Sequence, residues 1–152
     1  MQDLGEQLIE LSREQLGGIE LDEHLRDAVI SAQSIKAHGA LRRQKQLIGK
    51  LMRKVDPEPI RQALNALRHD ERVARRVFHD TEQWRNRLVD DGDSALSAYV
   101  DFLGHESARV SAALQAYRAA STDRSRKTAA RQIFRSVHED LVRKVQNEAR
   151  SS

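Results

Sequence analysis

No cysteine occurs in this chain. That excludes disulfides, thiolate metal sites and cysteine nucleophiles, and it suits a reducing compartment. Proline occurs only twice and aromatic residues make up 4% of the chain, so a core has to be aliphatic and thin. No apolar run approaches the roughly 20 residues that span a bilayer. The N-terminal stretch MQDLGEQLIEL is acidic and amphipathic, unlike a signal peptide with its positive start and apolar middle. These absences predict a soluble cytoplasmic protein that does not engage a membrane.

Catalytic and metal motifs are missing as well. The histidines His24, His38, His69, His79, His105 and His138 never fall at i, i+3 or i+4, and neither HExxH nor a GxxxxGK[ST] phosphate loop is present. Asp90, Asp91 and Asp93 form half a calcium loop without its glycine and bidentate glutamate, and helix capping accounts for them. The expectation is no enzyme activity, no catalytic residues, no metal, no cofactor and no small-molecule substrate.

What remains is charge and helical periodicity. Charged residues are 32% of the chain, with Leu, Ala, Arg, Gln, Glu and Lys prominent, a composition that favours helix nearly throughout. The net charge of +3 is unevenly spread: residues 1–27 carry eight acids against Arg13 and Arg26, which leaves the rest basic. Such asymmetry is a hint of nucleic-acid or membrane contact.

Taken in order, Leu4, Leu8, Ile9, Leu11 and Leu16 predict a first helix stopped by Gly17-Gly18. Asp22 is placed to cap a second helix with Leu25, Ala28, Val29, Ala32 and Ile35 on its inner face. Gly39 then marks a kink, a short turn or nothing. Asp56-Pro57-Glu58 opens a long helix that runs from Pro59 to about Val89. Its ends are apolar (Ile60, Leu64, Leu67; Val77, Phe78, Trp84, Leu88) and its middle, RHDER, is polar on every side; two helices broken at His69-Asp70 are the alternative. Gly92 ends it. A short helix follows to Gly104, another covers about 106–120, STDRSRK (121–127) reads as a mobile linker, and a last helix starts near Thr128. Ala130, Ile133, Phe134, Val137, Leu141 and Val145 form its inner stripe. The predicted fold is all-α: two small helical bundles joined by a long shared helix, with 1–67 an N-terminal bundle, 68–76 the polar part of the connecting helix, and 77–152 a C-terminal bundle.

The stretch 34–55, SIKAHGALRRQKQLIGKLMRKV, concentrates the chemistry. No acid occurs between Asp27 and Asp56, and Lys36, Arg42, Arg43, Lys45, Lys50, Arg53 and Lys54 all lie within it. Leu41, Ile48, Leu51, Met52 and Val55 recur at helical spacing. Arg42, Arg43, Lys50, Arg53 and Lys54 then fall opposite that stripe, with Lys45 on its flank. A face tuned only for solubility mixes signs. Two readings stay open: a basic surface helix without a partner, and a helix that binds a polyanion. Lys127, Arg131 and Arg135, spaced i, i+4, i+8, form a second basic edge, and pairing with the nearby Glu139 and Asp140 is its bland alternative. The acidic residues 1–27 leave open a third reading, a helical module for protein–protein interaction.

Four blocks carry a resemblance: ALRRQKQLIGKLMR (40–53), PEPIRQAL (57–64), RLVDDGD (87–93) and ARQIF (130–134). In this order they resemble the YjgA (DarP) family of ribosome-associated, large-subunit assembly proteins. The resemblance implies an all-helical, non-enzymatic factor that binds ribosomal RNA of the large (50S) subunit during late assembly. Its partners would be ribosomal RNA and pre-50S particles, with ribosomal proteins as further contacts. The RNA-binding set expected is Arg42, Arg43, Lys45, Lys50, Arg53, Lys54, Lys127, Arg131 and Arg135. Members of the family carry an acidic and a short basic segment ahead of the first helix, and neither is in this sequence. Lys45 stands where the family commonly has an apolar residue, which implies a more exposed flank there.

Overall fold

A few polar side chains set the helix ends. Ser12 accepts from the backbone N–H of Gln15 while Gln15 reaches back to the backbone N–H of Ser12, a reciprocal capping box. Asp22 accepts from the N–H groups of His24 and Leu25, and Asp56 from that of Glu58. Thr122 and Ser125 form a second box. At Gly92 (φ 60°) and Gly104 (φ 86°) the backbone enters the left-handed region, where a Cβ is strained. The resulting computed structural model describes residues 2–152: α1 (Gln2–Glu10), α2 (Arg13–Gly17), α3 (Glu23–Ser34), α4 (His38–Met52), α5 (Glu58–Asp91), α6 (Asp93–Leu103), α7 (Ala108–Ala119) and α8 (Asp123–Ser151). Helix takes up 84% of the chain, with no strand among the described residues, so the fold is all-α.

The chain divides into two compact units, Met1–Glu71 and Arg72–Ser152. In the first, α1, α3 and α4 pack on one another. Their core is Leu8, Leu16, Leu25, Val29, Ile48 and Met52, completed by Ile60 and Leu64 from the start of α5. Gly5 lets α1 close on α4, since a Cβ there would lie 3.0 Å from Ile48 Cγ2. Amide side chains then lock helix to backbone: Gln33 donates to the carbonyls of Ile9 and Leu11, and Gln44 to that of Ala28.

In the second unit α8 packs against α7 and α6. The core holds Leu88, Tyr99, Val110, Leu114, Ile133 and Val137, with Trp84 packed edge-on against Tyr99 at 5.2 Å. The buried Tyr99 hydroxyl donates to the buried Asp140 carboxylate at 2.8 Å. Burial, and after it this hydrogen bond and the carboxylate's charge, push the Tyr99 phenol well above its ordinary range.

Several local expectations need correction. The first helix is two, because the Ser12 box restarts the backbone after Glu10. Of the three readings open at Gly39 the structure has the last, since it lies inside α4, and the chain breaks before it at the non-helical Ile35, Lys36 and Ala37. The long helix, by contrast, is as expected: α5 is continuous across His69 and Asp70, and residues 68–72 are exposed. Residues 123–127 are not a linker but the first turns of α8, nucleated by the Thr122 box with Asp123 in the first turn. Phe78 is 52% exposed rather than part of the core, because Val77 beside it takes the inward position.

Candidate nucleic-acid interface

Helix α4 can display cations because its opposite side is anchored. Ile48 and Met52 are fully buried, and Leu41, Leu51 and Val55 partly so, which turns Arg42, Arg43 and Lys50 to solvent. Arg53 caps the helix C-terminus and Lys54 follows in the turn, both exposed. Cations there also suit the negative end of the helix dipole. The helix is thus shorter than the basic stretch, with Lys36 before it and Lys54 after it. Leu47, 44% exposed, interrupts the charged face.

Among the described residues, Arg42, Arg43, Lys50, Arg53 and Lys54 have no carboxylate within ion-pairing distance. Lys45 differs. It is half-buried and lies 3.6 Å from Glu6 on α1, so it closes the α1–α4 seam rather than adding an exposed flank. An unneutralised cluster of like charges is a standing attraction for a polyanion, and one that salt screens.

The second basic edge lies on α8, where Lys127, Arg131 and Arg135 are all exposed. The acids that offered a local counter-charge are engaged elsewhere: Glu139 pairs with Arg109, and Asp140 accepts from Tyr99. Arg131 and Arg135 line a groove of about 480 Å³ between α8 and α5. Phe78, Glu82 and Arg85 from α5 and Phe134 and His138 from α8 complete its walls. Phe78 and Phe134 meet edge-on, with ring centroids 5.2 Å apart. Helical periodicity placed both rings on inner stripes, and so missed the groove. Val77 and Phe78 lie about 100° apart around the helix, so with Val77 facing the core Phe78 falls at the edge of the stripe, where either burial or exposure is open to it.

Among the described residues no helix is long and apolar enough to cross a membrane. The model of the family described as "Dual-action ribosomal maturation protein DarP" matches residues 1–138. The chain is similar to proteins of that name from several bacteria. It is 50% identical over 104 residues to the one from Edwardsiella ictaluri, covering 67% of this chain and 55% of that protein. It is 52% identical over 96 residues to the one from Klebsiella pneumoniae, covering 62% of this chain and 51% of that protein. The similarity to the one from Thiobacillus denitrificans is 37% over 142 residues, which covers 93% of this chain and 80% of that protein. The chain therefore spans about half the length of the Edwardsiella and Klebsiella relatives it matches.

Proposed function

The chain belongs to the DarP family, and from that premise we propose that it acts in ribosomal maturation as a non-enzymatic factor, binding ribosomal RNA of the large (50S) subunit during late assembly. The observation that carries this reading is the unneutralised cluster Arg42, Arg43, Lys50, Arg53 and Lys54 on and just beyond α4. Cations that meet phosphates release condensed counterions, so affinity falls steeply as salt rises. Folded ribosomal RNA shows its shape and phosphates more readily than its sequence, so this helix recognises a duplex surface with weak intrinsic sequence preference. Lys127, Arg131 and Arg135 supply a second set of contacts, while Lys45, held by Glu6, contributes least.

The test is a pull-down of pre-50S particles beside a thermal melt. Replacing Arg43, Lys50 and Lys54 by Glu removes three attractions and adds three repulsions on exposed positions, so particle binding should fall strongly. Stability should move by no more than about 0.5 kcal/mol per change. A triple variant that melts normally and binds like the parent would show that this helix is not the contact.

The exposed acids Glu10, Glu14, Glu20, Glu23 and Asp27 favour a second reading, a docking face for a basic protein. Sedimentation of a lysate at low salt separates the two. Co-migration with large-subunit particles supports RNA binding, and migration with another protein supports the docking module.

A further inference from the structure

We infer that the groove between Phe78 of α5 and Phe134 of α8 holds an unpaired RNA nucleotide, its base stacked on the exposed phenyl ring and its phosphate met by Arg131 and Arg135. The inference rests on the RNA-binding reading and adds to it a second mode of contact, to a base rather than to the backbone of a duplex. Phe78 is the most exposed large apolar side chain among those described, at 52%, yet it is not a stray surface residue. Its ring is held edge-on at 64° against Phe134, so its position is fixed while a face stays open. Phe134 is itself braced, with His138 stacked at 6.1 Å and 8° on one side and the Arg85 guanidinium 5.5 Å from its centroid. Three arginines and one carboxylate, Glu82, line the cavity, so its charge suits an anion.

A fixed aromatic face ringed by guanidinium groups matches the chemistry of a splayed nucleotide. Bases in loops and bulges stack on aromatic side chains and on arginine planes, and every base offers a π-face. A paired duplex hides those faces, so α4 and this groove call for different RNA features. An acidic peptide carrying a phenylalanine would meet the same charge, and the experiment below includes it.

The probe is an RNA hairpin with a single bulged adenosine, compared with the same hairpin carrying an abasic residue at the bulge, and titrated against the full chain by fluorescence anisotropy. Stacking of one base on an aromatic residue corresponds to roughly 5- to 150-fold in affinity. Wild type should therefore bind the bulged adenosine at least about fivefold more tightly than the abasic hairpin. Phe78→Ala should erase that preference while the chain stays folded, with the melting temperature only modestly lower because the ring is half exposed. Phe102→Ala, which removes another exposed phenyl outside the groove, should leave the preference intact. Arg131→Gln should weaken both hairpins alike.

Equal binding of the two hairpins, with salt-sensitive affinity retained, overturns the base site and leaves the basic-helix reading standing. No binding to either overturns both. A preference that survives Phe78→Ala, or that Phe102→Ala removes, places base recognition elsewhere. Saturation of the groove by a Phe-containing acidic peptide with no base preference assigns it to a protein partner and overturns the inference.

Discussion

The two units are built from different side chains. The chain has no aromatic residue before Phe78, so the core of the first unit is aliphatic throughout and includes small residues such as Ala28 and Ala32. Every aromatic residue lies in the second unit, where Trp84 and Tyr99 pack inward and Phe78 and Phe102 remain largely exposed. The cations differ in degree: on and around α4 lysines mix with Arg42, Arg43 and Arg53. Four of the six lysines fall between positions 36 and 54, whereas the second unit relies almost wholly on arginine. Lysine is a compact, hydrated point charge suited to phosphate, while arginine is planar and stacks. A basic face without rings, such as that of α4, can sense charge. One of arginines and fixed rings can sense charge and a flat face together.

The largest effect should come from opening the aliphatic core. Met52→Ala, at a fully buried position, should cost about 2–5 kcal/mol. Far-UV ellipticity during urea unfolding measures the loss. Trp84 lies in the second unit and its fluorescence follows that unit, so a midpoint that shifts less by fluorescence than by ellipticity would sharpen the contrast between the two cores, and equal shifts would break it.

Next in size is the buried polar pair of the aromatic core. Tyr99→Phe leaves Asp140 without its donor and should cost about 1–3 kcal/mol. The pair also predicts a pH effect. In the unfolded chain the phenol ionises near pH 10, whereas the folded state holds its proton beyond that. Its contribution to stability is therefore complete below pH 10 and declines as pH rises above it. Urea midpoints measured across that range should fall less steeply in Tyr99→Phe than in the parent.

A smaller change separates the two basic surfaces. Lys50→Gln and Arg131→Gln should each lower the log–log salt slope of RNA binding by about one unit. The smallest expected effect is a gain. Gly49 sits in the interior of α4 with open space where a Cβ would stand, so Gly49→Ala should stabilise the first unit by about 0.5–1 kcal/mol. A thermal melt would register it.

Most helix boundaries could be read wherever a residue has one backbone preference. Pro57 beside Asp56, Gly92, Gly104 and Asp22 all end or begin helices as their chemistry requires. Serine and threonine were harder, because the same hydroxyl suits a loop, a helix or a cap. Ser12 and Thr122 took the capping role, which divided one expected helix and turned an expected linker into the start of α8. Of the candidate site, the exposed face of α4 was legible because periodicity sets inside from outside on a single helix. The groove was not, since it depends on which turns of α5 and α8 come together, and that pairing leaves no local mark on either segment. Lys45 shows the same limit: its partner Glu6 is distant in sequence and becomes a neighbour only when α1 crosses α4.

The make-up of the first core also sets a schedule for synthesis. Its buried and partly buried members all lie between Leu4 and Leu67, so nothing downstream is needed to complete it. Helical folds with mostly local contacts form in microseconds to milliseconds. Translation adds only about 5–20 residues per second, so the stretch after Glu71 takes roughly 4–16 s to follow. Once Leu67 has cleared the exit tunnel during that interval, nothing from the second unit is needed for α4 to dock on its core with its cations outward. The arginine-lined groove cannot exist until α8 has been made. The basic face of α4 is therefore complete in the chain before the groove that depends on α8.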